Sequence, residues 1–403
     1  MSEAHLNDQR LDAAARRLQF RDPQRARALG RRIREVAEEI EAPTVTVMHV
    51  CGSHEQAIAR FGLRSLLPEK VEVLMGPGCP VCVTDSPEVD EAVALALQGV
   101  HVATYGDMLR VPGSSRSLAD AQAEGGKVHV VYSIAQAVTL ARGLPASEEL
   151  VFFASGFETT AVTTAAAILA RDEELPANFS VLAAHKYIPP AMDLVAQMPG
   201  SRIDGYLAAG HAATITGWEV FEPVVERQGV PVVVAGFEPL DILAALLRVL
   251  ELIRDGEATV ENLYPRCVTR EGNRNAQEQL WRVFRTSGGV WRGIAEIPSG
   301  NLILRDEWAP VDARTRFTID LPALWARKVP GEAAGRASGE AARELAAQCI
   351  CGDIMAGIAA PTDCPLFGQQ CRPDSPVGAC MVSSEGTCKI WQLYGGRPQV
   401  GAA

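Results

Sequence analysis

Positive charge is the first thing this chain is short of. Its 403 residues carry 38 Lys and Arg against 49 Asp and Glu, a formal charge of −11, which argues against nucleic acid or an anionic membrane surface as a partner. Long apolar runs are also missing. The nearest, Ile242 to Ile253, is broken by Arg248 and Glu251, so no membrane-spanning helix is expected. Residues 1–20 are polar and charged, with neither an apolar core nor a small-residue cleavage site, and do not read as a secretory signal. The expectation is a cytoplasmic protein. In that reducing setting cysteines serve as ligands or redox groups more readily than as structural disulfides.

Thiols are what the chain does have. Six of its ten cysteines fall in the last fifty-five residues: Cys349, Cys351, Cys364, Cys371, Cys380 and Cys388, spaced C-x-C-x12-C-x6-C-x8-C-x7-C. Thiolates are soft ligands for iron, zinc or an iron–sulfur cluster, or partners for one another. The paired C-x2-C knuckles of a zinc ribbon are absent here. Irregular long spacings suit a cluster wrapped by loops and held by four thiolates, leaving two cysteines over. Zinc, or disulfides alone, are the other readings of this set. The spacing does not say which four would bind.

An apolar content of 47 % over this length is enough for two or three domains with cores of their own. Residues 1–42 read as a mobile tail (1–21) and then a helix. Asp22-Pro23 gives an N-cap with proline at the first helical position, and Leu29, Ile33, Val36 and Ile40 form one apolar stripe opposite a solvated arginine face. From Pro43, short apolar runs alternate with helical stretches, the mark of parallel α/β units. Thr44–Val50, Val71–Met75, Val100–Thr104, Lys127–Val131, Leu150–Ala154 and Val230–Ala235 read as strands. Two of them lead into Gly-Phe-Glu, at 156–158 and 236–238. The expected class is therefore α/β: two similar parallel-sheet lobes, 43–145 and 146–265, around a cleft, followed by a C-terminal region, 266–403, carrying the thiols. Ligands of such sheets sit beyond the carboxyl ends of the strands. The Ala/Gly/Glu/Arg stretch 331–347 reads as a linker or weak helix.

Three further cysteines lie in loops at those strand ends. Cys79-Pro80-Val81-Cys82 is a C-x-x-C whose sulfurs can bond to each other or grip one metal; two buried loop thiols is its plainer reading. Cys51-Gly52-Ser53-His54-Glu55 puts a thiol just ahead of a helix, where it should ionise more readily. Ser53 with Gln56, and Ser155 with Glu158, have capping-box spacing. His54 could ligate, relay a proton, or be a satisfied structural residue. Thr159-Thr160, His185-Lys186 and Gly210-His211 are weaker candidates to line the cleft, and Cys267 reads as an inert buried thiol.

From about residue 40 onward the chain resembles the HypD family of [NiFe]-hydrogenase maturation factors. The carriers are Cys51–Glu55, Gly76-Pro77-Gly78-Cys79-Pro80-Val81-Cys82, Thr104–Gly113, Ser155–Thr160 and the tail from Asp363-Cys364-Pro365 to Gly386-Thr387-Cys388. The resemblance implies two α/β lobes and a third domain with a [4Fe–4S] cluster. It implies a scaffold that works with a small HypC-type partner while iron receives two cyanides and one carbon monoxide. Cyanide would come from a HypE-type donor, and the product would pass to a hydrogenase large subunit. Carried over, Cys51 would be the iron-ligating thiolate, Cys79 and Cys82 a redox pair facing it, and His54 and Glu55 close supports. Soft thiolates suit such an iron. We expect reducing equivalents to run from the cluster through spare tail cysteines to Cys79 and Cys82, and on to the iron at Cys51. The competing readings are an iron–sulfur thiol–disulfide reductase and a zinc-stabilised binding module.

Overall fold

The computed structural model describes residues 20–170, 175–326 and 340–396. The expected tail, apart from Phe20 and Arg21, lies outside the described residues, as does 331–339 of the expected linker. Asp22 caps the first helix, its Oδ1 accepting from the amides of Gln24 at 2.8 Å and Arg25 at 3.0 Å. That helix, Pro23–Glu39, buries Ile33 and Val36 completely in a core shared with the helix Pro239–Asp255. It is part of the fold's first layer rather than an appendage.

The strands are β1 (Val45–His49), β2 (Val71–Met75), β3 (His101–Thr104), β4 (Val128–Val130), β5 (Leu150–Gly156), β6 (Phe179–Lys186), β7 (Gly205–Ala209), β8 (Val232–Ala235), β9 (Val260–Asn262), β10 (Phe284–Trp291) and β11 (Ala295–Leu304). They form two sheets, ordered β2-β1-β7-β8-β9 and β10-β11-β6-β5-β3-β4. The first is parallel throughout; in the second, β4, β3, β5 and β6 run parallel and the β10–β11 hairpin adds antiparallel through Asn301 opposite Lys186. Buried on both faces, β1, β5 and β6 carry no exposed position, as expected for strands covered by helices on either side. Alternate residues separate the two cores of the second sheet, Val102, Val151 and Phe153 against Ala103, Phe152 and Ala154.

The α/β class with two parallel-rich sheets is as expected, but the sheets divide the chain differently from 43–145 and 146–265. β1 and β2 pair with β7–β9, while β3–β6 form the other sheet together with β10 and β11. The reason is physical: parallel neighbours need only crossover connections, so a strand's partner can lie 150 residues away, as Val47 opposite Gly205 shows. Region 266–403 is split in the same way, its hairpin belonging to the second sheet. The tail thiols share a core cluster with Met48, Val50, Phe157 and Trp291 instead of standing on a core of their own.

Each sheet reverses its winding once. In the first, β1 leads to β2 on one side and β7 leads to β8 on the other; in the second, β3 leads to β4 and β5 to β6, again in opposite directions. Such a switch point opens a crevice at the carboxyl ends of the two central strands. Cys51 and Gly210-His211 follow β1 and β7. Tyr105-Gly106-Asp107 and Phe157-Glu158 follow β3 and β5.

Candidate functional site

Cys51 occupies the N-cap position of the helix Gly52–Arg60, with 2 % of its surface exposed. Its Sγ lies 3.9 Å from His211 Nδ1. Burial pushes the thiol up to about 12, outweighing the amides of His54 and Ser53 that favour the thiolate. The sequence expectation of easy ionisation fails here because desolvation exceeds the pull of one helix terminus. Burial also lowers His211, keeping it neutral. Ser53 is not the expected cap: it lies inside the helix, and Cys51 holds the cap position without a side-chain cap bond.

Glu55, fully buried, is the brace of this crevice. Its carboxylate accepts from His49 Nε2 at 2.8 Å, from both Arg64 terminal nitrogens at 2.8 and 2.9 Å, and from Trp391 Nε1 at 2.6 Å. Burial alone would raise this carboxyl; Arg64, with His49, reverses that and holds it below the usual range. The four bonds tie β1, the Cys51 helix and the C-terminal helix Thr387–Tyr394 into one block. His54 Nε2 donates to the Gly236 carbonyl at 3.0 Å and its ring stacks on Phe237, centroids 4.9 Å apart. Burial drives it down to about 3, so it is neutral, and its Nδ1 has no partner.

Cys79 and Cys82 are joined as a disulfide, both sulfurs buried, in the short turn Pro80–Val83. Of the two options their spacing leaves open, this is the redox one; bonded to each other, the sulfurs are not free to grip a metal. The loop carrying them runs from one crevice to the other. At its start the Gly52 amide donates to the Gly78 carbonyl at 3.2 Å. A side chain on Gly78 would come within 2.1 Å of Val50 and 2.2 Å of the Cys51 nitrogen, so only glycine permits this approach. At its end the Thr84 and Ser155 hydroxyls meet at 3.0 Å. Ser155 is thus a strand residue gripping this loop, not the cap of the next helix, whose cap position is Phe157.

Glu158 instead accepts from the Ile188 amide at 2.7 Å through one oxygen, while the other is buried without a partner. Burial raises its carboxyl to about 7. His185 and Lys186 point into bonds of their own, His185 to Thr164 at 3.0 Å and Lys186 to Glu88 at 2.9 Å and Asn301 at 3.0 Å. Thr159 and Thr160 are half-buried at the start of the following helix.

The tail thiols, all free, come together: Cys349 hydrogen-bonds Cys351, Cys351 hydrogen-bonds Cys380 and Cys380 hydrogen-bonds Cys388, with Cys364 and Cys371 close enough to act on their neighbours' charge. Cys351 is held well below its ordinary value by Cys349 and Cys380, burial opposing, with the Arg292 guanidinium assisting. Arg292 sits at the tip of the β10–β11 hairpin, donating from its backbone to Val83 O at 3.0 Å and from Nε to Thr84 O at 2.7 Å. The helix Ala379–Val382 packs on the turn Pro80–Val83, and Thr387–Tyr394 on Gly52–Arg60. Among the described residues no three His, Cys, Asp or Glu side chains are set to chelate one metal ion. Cys267 is exposed, not buried as expected. His49, Arg64 and Trp391 had no local signal; Asp107 and Glu385 lay inside motifs that carry the family resemblance, and His211 was only a weak candidate.

A free thiol at one switch point, a disulfide reaching the other and a thiol-rich tail bridging both define a cysteine-centred α/β protein. The family model HypD, described as the hydrogenase formation hypA family, matches residues 24–395. A putative hydrogenase expression/formation protein of Methanocaldococcus jannaschii is 42 % identical over 363 residues, 90 % of this chain and 95 % of that one. The hydrogenase expression/formation protein HupD of Azotobacter chroococcum is 41 % identical over 389 residues, 94 % and 97 % of the two chains. The maturation factor HypD of Rhizobium leguminosarum is 40 % identical over 386 residues, 94 % of each. The chain belongs to the HypD family of hydrogenase maturation factors. No described helix is long and apolar enough to cross a membrane.

Proposed function

We propose that this maturation factor is a scaffold: it receives iron at Cys51, with a small HypC-type partner, while cyanide from a HypE-type donor and carbon monoxide are added. The finished unit would then move toward a hydrogenase large subunit, in the cytoplasm. One observation carries the reading. A lone free thiol at a switch point has His211 Nδ1 3.9 Å from its sulfur, the loop of the Cys79–Cys82 disulfide against its own backbone and Glu385 of the tail over the start of its helix. A low-spin iron bearing cyanide and carbon monoxide is the soft substrate such a sulfur suits.

His211 Nδ1 is placed to take the Cys51 proton when iron arrives. Before that the transfer is uphill from both sides, the thiol raised and the imidazole lowered by burial. A cation on the sulfur reverses the balance. The site therefore stays a neutral thiol until it is loaded.

The six tail thiols fit an iron–sulfur cluster: five are buried, all are sulfur donors, and they lie side by side. A four-iron cluster spreads its thiolates over four metals, so a single-ion chelate is not what it needs. We assign Cys349, Cys364, Cys371 and Cys388 to it, because Cys380 rides on the helix against the C-x-x-C turn and Cys351 lies beside Arg292, which reaches the Val83 and Thr84 carbonyls at the end of that turn. When bound, the cluster would supply single electrons. Cys351 and Cys380 would then exchange with the Cys79–Cys82 disulfide, one dithiol becoming a disulfide as the other is reduced, with sulfur, electrons and protons conserved. A general reductase is disfavoured, since a protein substrate cannot reach sulfurs 1 % and 0 % exposed.

The test is infrared spectroscopy with metal analysis on protein purified anaerobically with its small partner. Cyanide and carbonyl stretches are expected, lost in Cys51→Ser. Iron-free protein, or bands that survive Cys51→Ser, would overturn the scaffold reading; zinc in the tail would overturn the cluster.

A further inference from the structure

We propose that Asp107 is a positioning residue for the Cys51 site: by holding the turn Ser383–Glu385 it keeps Glu385 seated over the start of the Cys51 helix. Asp107 belongs to the other crevice, in the 3-10 turn Gly106–Arg110 that follows β3. A single carboxylate oxygen, Oδ2, accepts from Ser384 Oγ at 2.9 Å, from the Ser384 amide at 3.0 Å and from Ser383 Oγ at 3.2 Å. The same Ser383 hydroxyl accepts from the Glu385 amide at 3.1 Å. One acidic side chain thereby fixes the direction in which the next residue leaves the turn.

That direction is onto Gly52, the residue after Cys51. A side chain on Gly52 would stand 2.4 Å from Glu385 Cβ, so the turn closes directly over the start of the Cys51 helix. Glu385 is near enough to add its charge to the forces on the thiol. The turn's two ends are thiols of the tail, Cys380 and Cys388, which are hydrogen-bonded to each other. At its base, a side chain on Gly386 would meet the Cys380 carbonyl at 2.1 Å. The loop is short and tight, with its ends in the tail set and its tip between two crevices. Asp107 is the group on the second sheet that pins that tip. Three donors on one carboxylate oxygen make a strong hold, and removing it leaves the buried Ser383 hydroxyl with no acceptor for its proton.

The inference takes its functional meaning from the reading of Cys51 as the iron-receiving thiol, but its test does not depend on iron. Full-length protein is alkylated with iodoacetamide, and labelling of Cys51 is measured by peptide mass spectrometry against exposed Cys267 in the same sample. Asp107→Ala is expected to raise the Cys51 to Cys267 rate ratio by about tenfold, the size set by loss of a charge-assisted hold. Asp107→Asn, whose amide oxygen still accepts, is expected to give a smaller rise. Val138→Ala, which loosens the opposite face of the same sheet, is expected to leave the ratio unchanged. An unchanged ratio in Asp107→Ala, or an equal rise in Val138→Ala, overturns the proposal. Iron retention in Cys51→Ser is a separate measurement on a separate variant, so the failure of one idea is told apart from the failure of the other.

Discussion

The two crevices carry the same tripeptide and use it in opposite ways. Gly236-Phe237-Glu238 follows β8 in the first sheet and Gly156-Phe157-Glu158 follows β5 in the second. Both phenylalanines pack the crevice, Phe237 against His54 and His211, Phe157 against Trp291. The carboxylates part company. Glu238 is paired with Arg21 near the surface, whereas Glu158 is buried with one oxygen unpartnered. The first crevice instead draws its buried carboxylate from Glu55, which has four donors. A buried carboxyl with that many donors stays charged and works as a brace; one with a single backbone donor is neutral well above the usual range. The lone thiol's crevice is therefore braced by fixed charge, while the other crevice holds a group that can change its charge.

The harshest way to test this contrast is Glu55→Ala. It leaves His49 Nε2 and Trp391 Nε1 buried with no acceptor and Arg64 with only the Val73 carbonyl, and removing one partner of such a buried pair costs about 3–5 kcal/mol. Urea denaturation should show that loss, with faster hydrogen exchange in the helix Thr387–Tyr394. Glu158→Ala should cost distinctly less, and equal costs would erase the distinction between brace and titrating group.

A milder probe is pH. Glu158, raised to about 7 from 4.5 in the unfolded chain, binds its proton more tightly when folded. Its contribution is full below pH 4.5 and is lost as pH rises through about 7. His54, depressed to about 3 from 6.5, does the reverse: its contribution is present above 6.5 and is lost as pH falls toward 3, and His185 adds the same slope. Glu158→Gln should abolish the loss on raising pH, a relative gain on the order of 2–3 kcal/mol at neutral pH, since a tenfold change in proton affinity is worth roughly 1.4 kcal/mol. Stability profiles of wild type and variant that stay parallel from pH 4.5 to 7 would show that Glu158 is ionised throughout.

Smaller still in stability, though not in function, is replacing Cys79 and Cys82 together by serine. The disulfide closes a three-residue separation, and so short a loop stabilises by about 2 kcal/mol at most. Hydrogenase maturation should fail in this variant while Cys51 remains in place. Normal maturation would remove the dithiol from the mechanism and leave the second crevice a purely structural one.

Much of this was legible in the residues. β1, β2, β3, β5 and β8 are continuous apolar runs closed by glycine, proline or polar residues, and each is a strand within a residue or two of where it reads. The thiols at strand ends follow directly. Which strand joins which sheet was not legible, because β1 beside β7 is a pairing without local signature. The hairpin β10–β11 was missed because Arg285-Thr286-Ser287-Gly288-Gly289 is polar and largely unburied. Burial also overturned two local rules: Cys51 is raised where a helix terminus should lower it, and Cys267 is exposed where an unmotivated cysteine should be buried.

The smallest expected effect tests a local rule within the first crevice. Ser53 and Gln56 have capping-box spacing, yet Cys51 takes the cap position, so Ser53 has no cap to lose. Removal of a working serine cap costs about 1 kcal/mol; Ser53→Ala should cost less than about 0.5 kcal/mol, the range of a substitution away from any such feature. What Ser53 does contribute is a side-chain hydrogen bond that favours the Cys51 thiolate. Its removal should slow Cys51 alkylation at fixed pH while the denaturation midpoint holds. A midpoint shift worth a full cap with unaltered labelling would mean that the helix begins two residues later than Gly52, and that the thiol stands outside it.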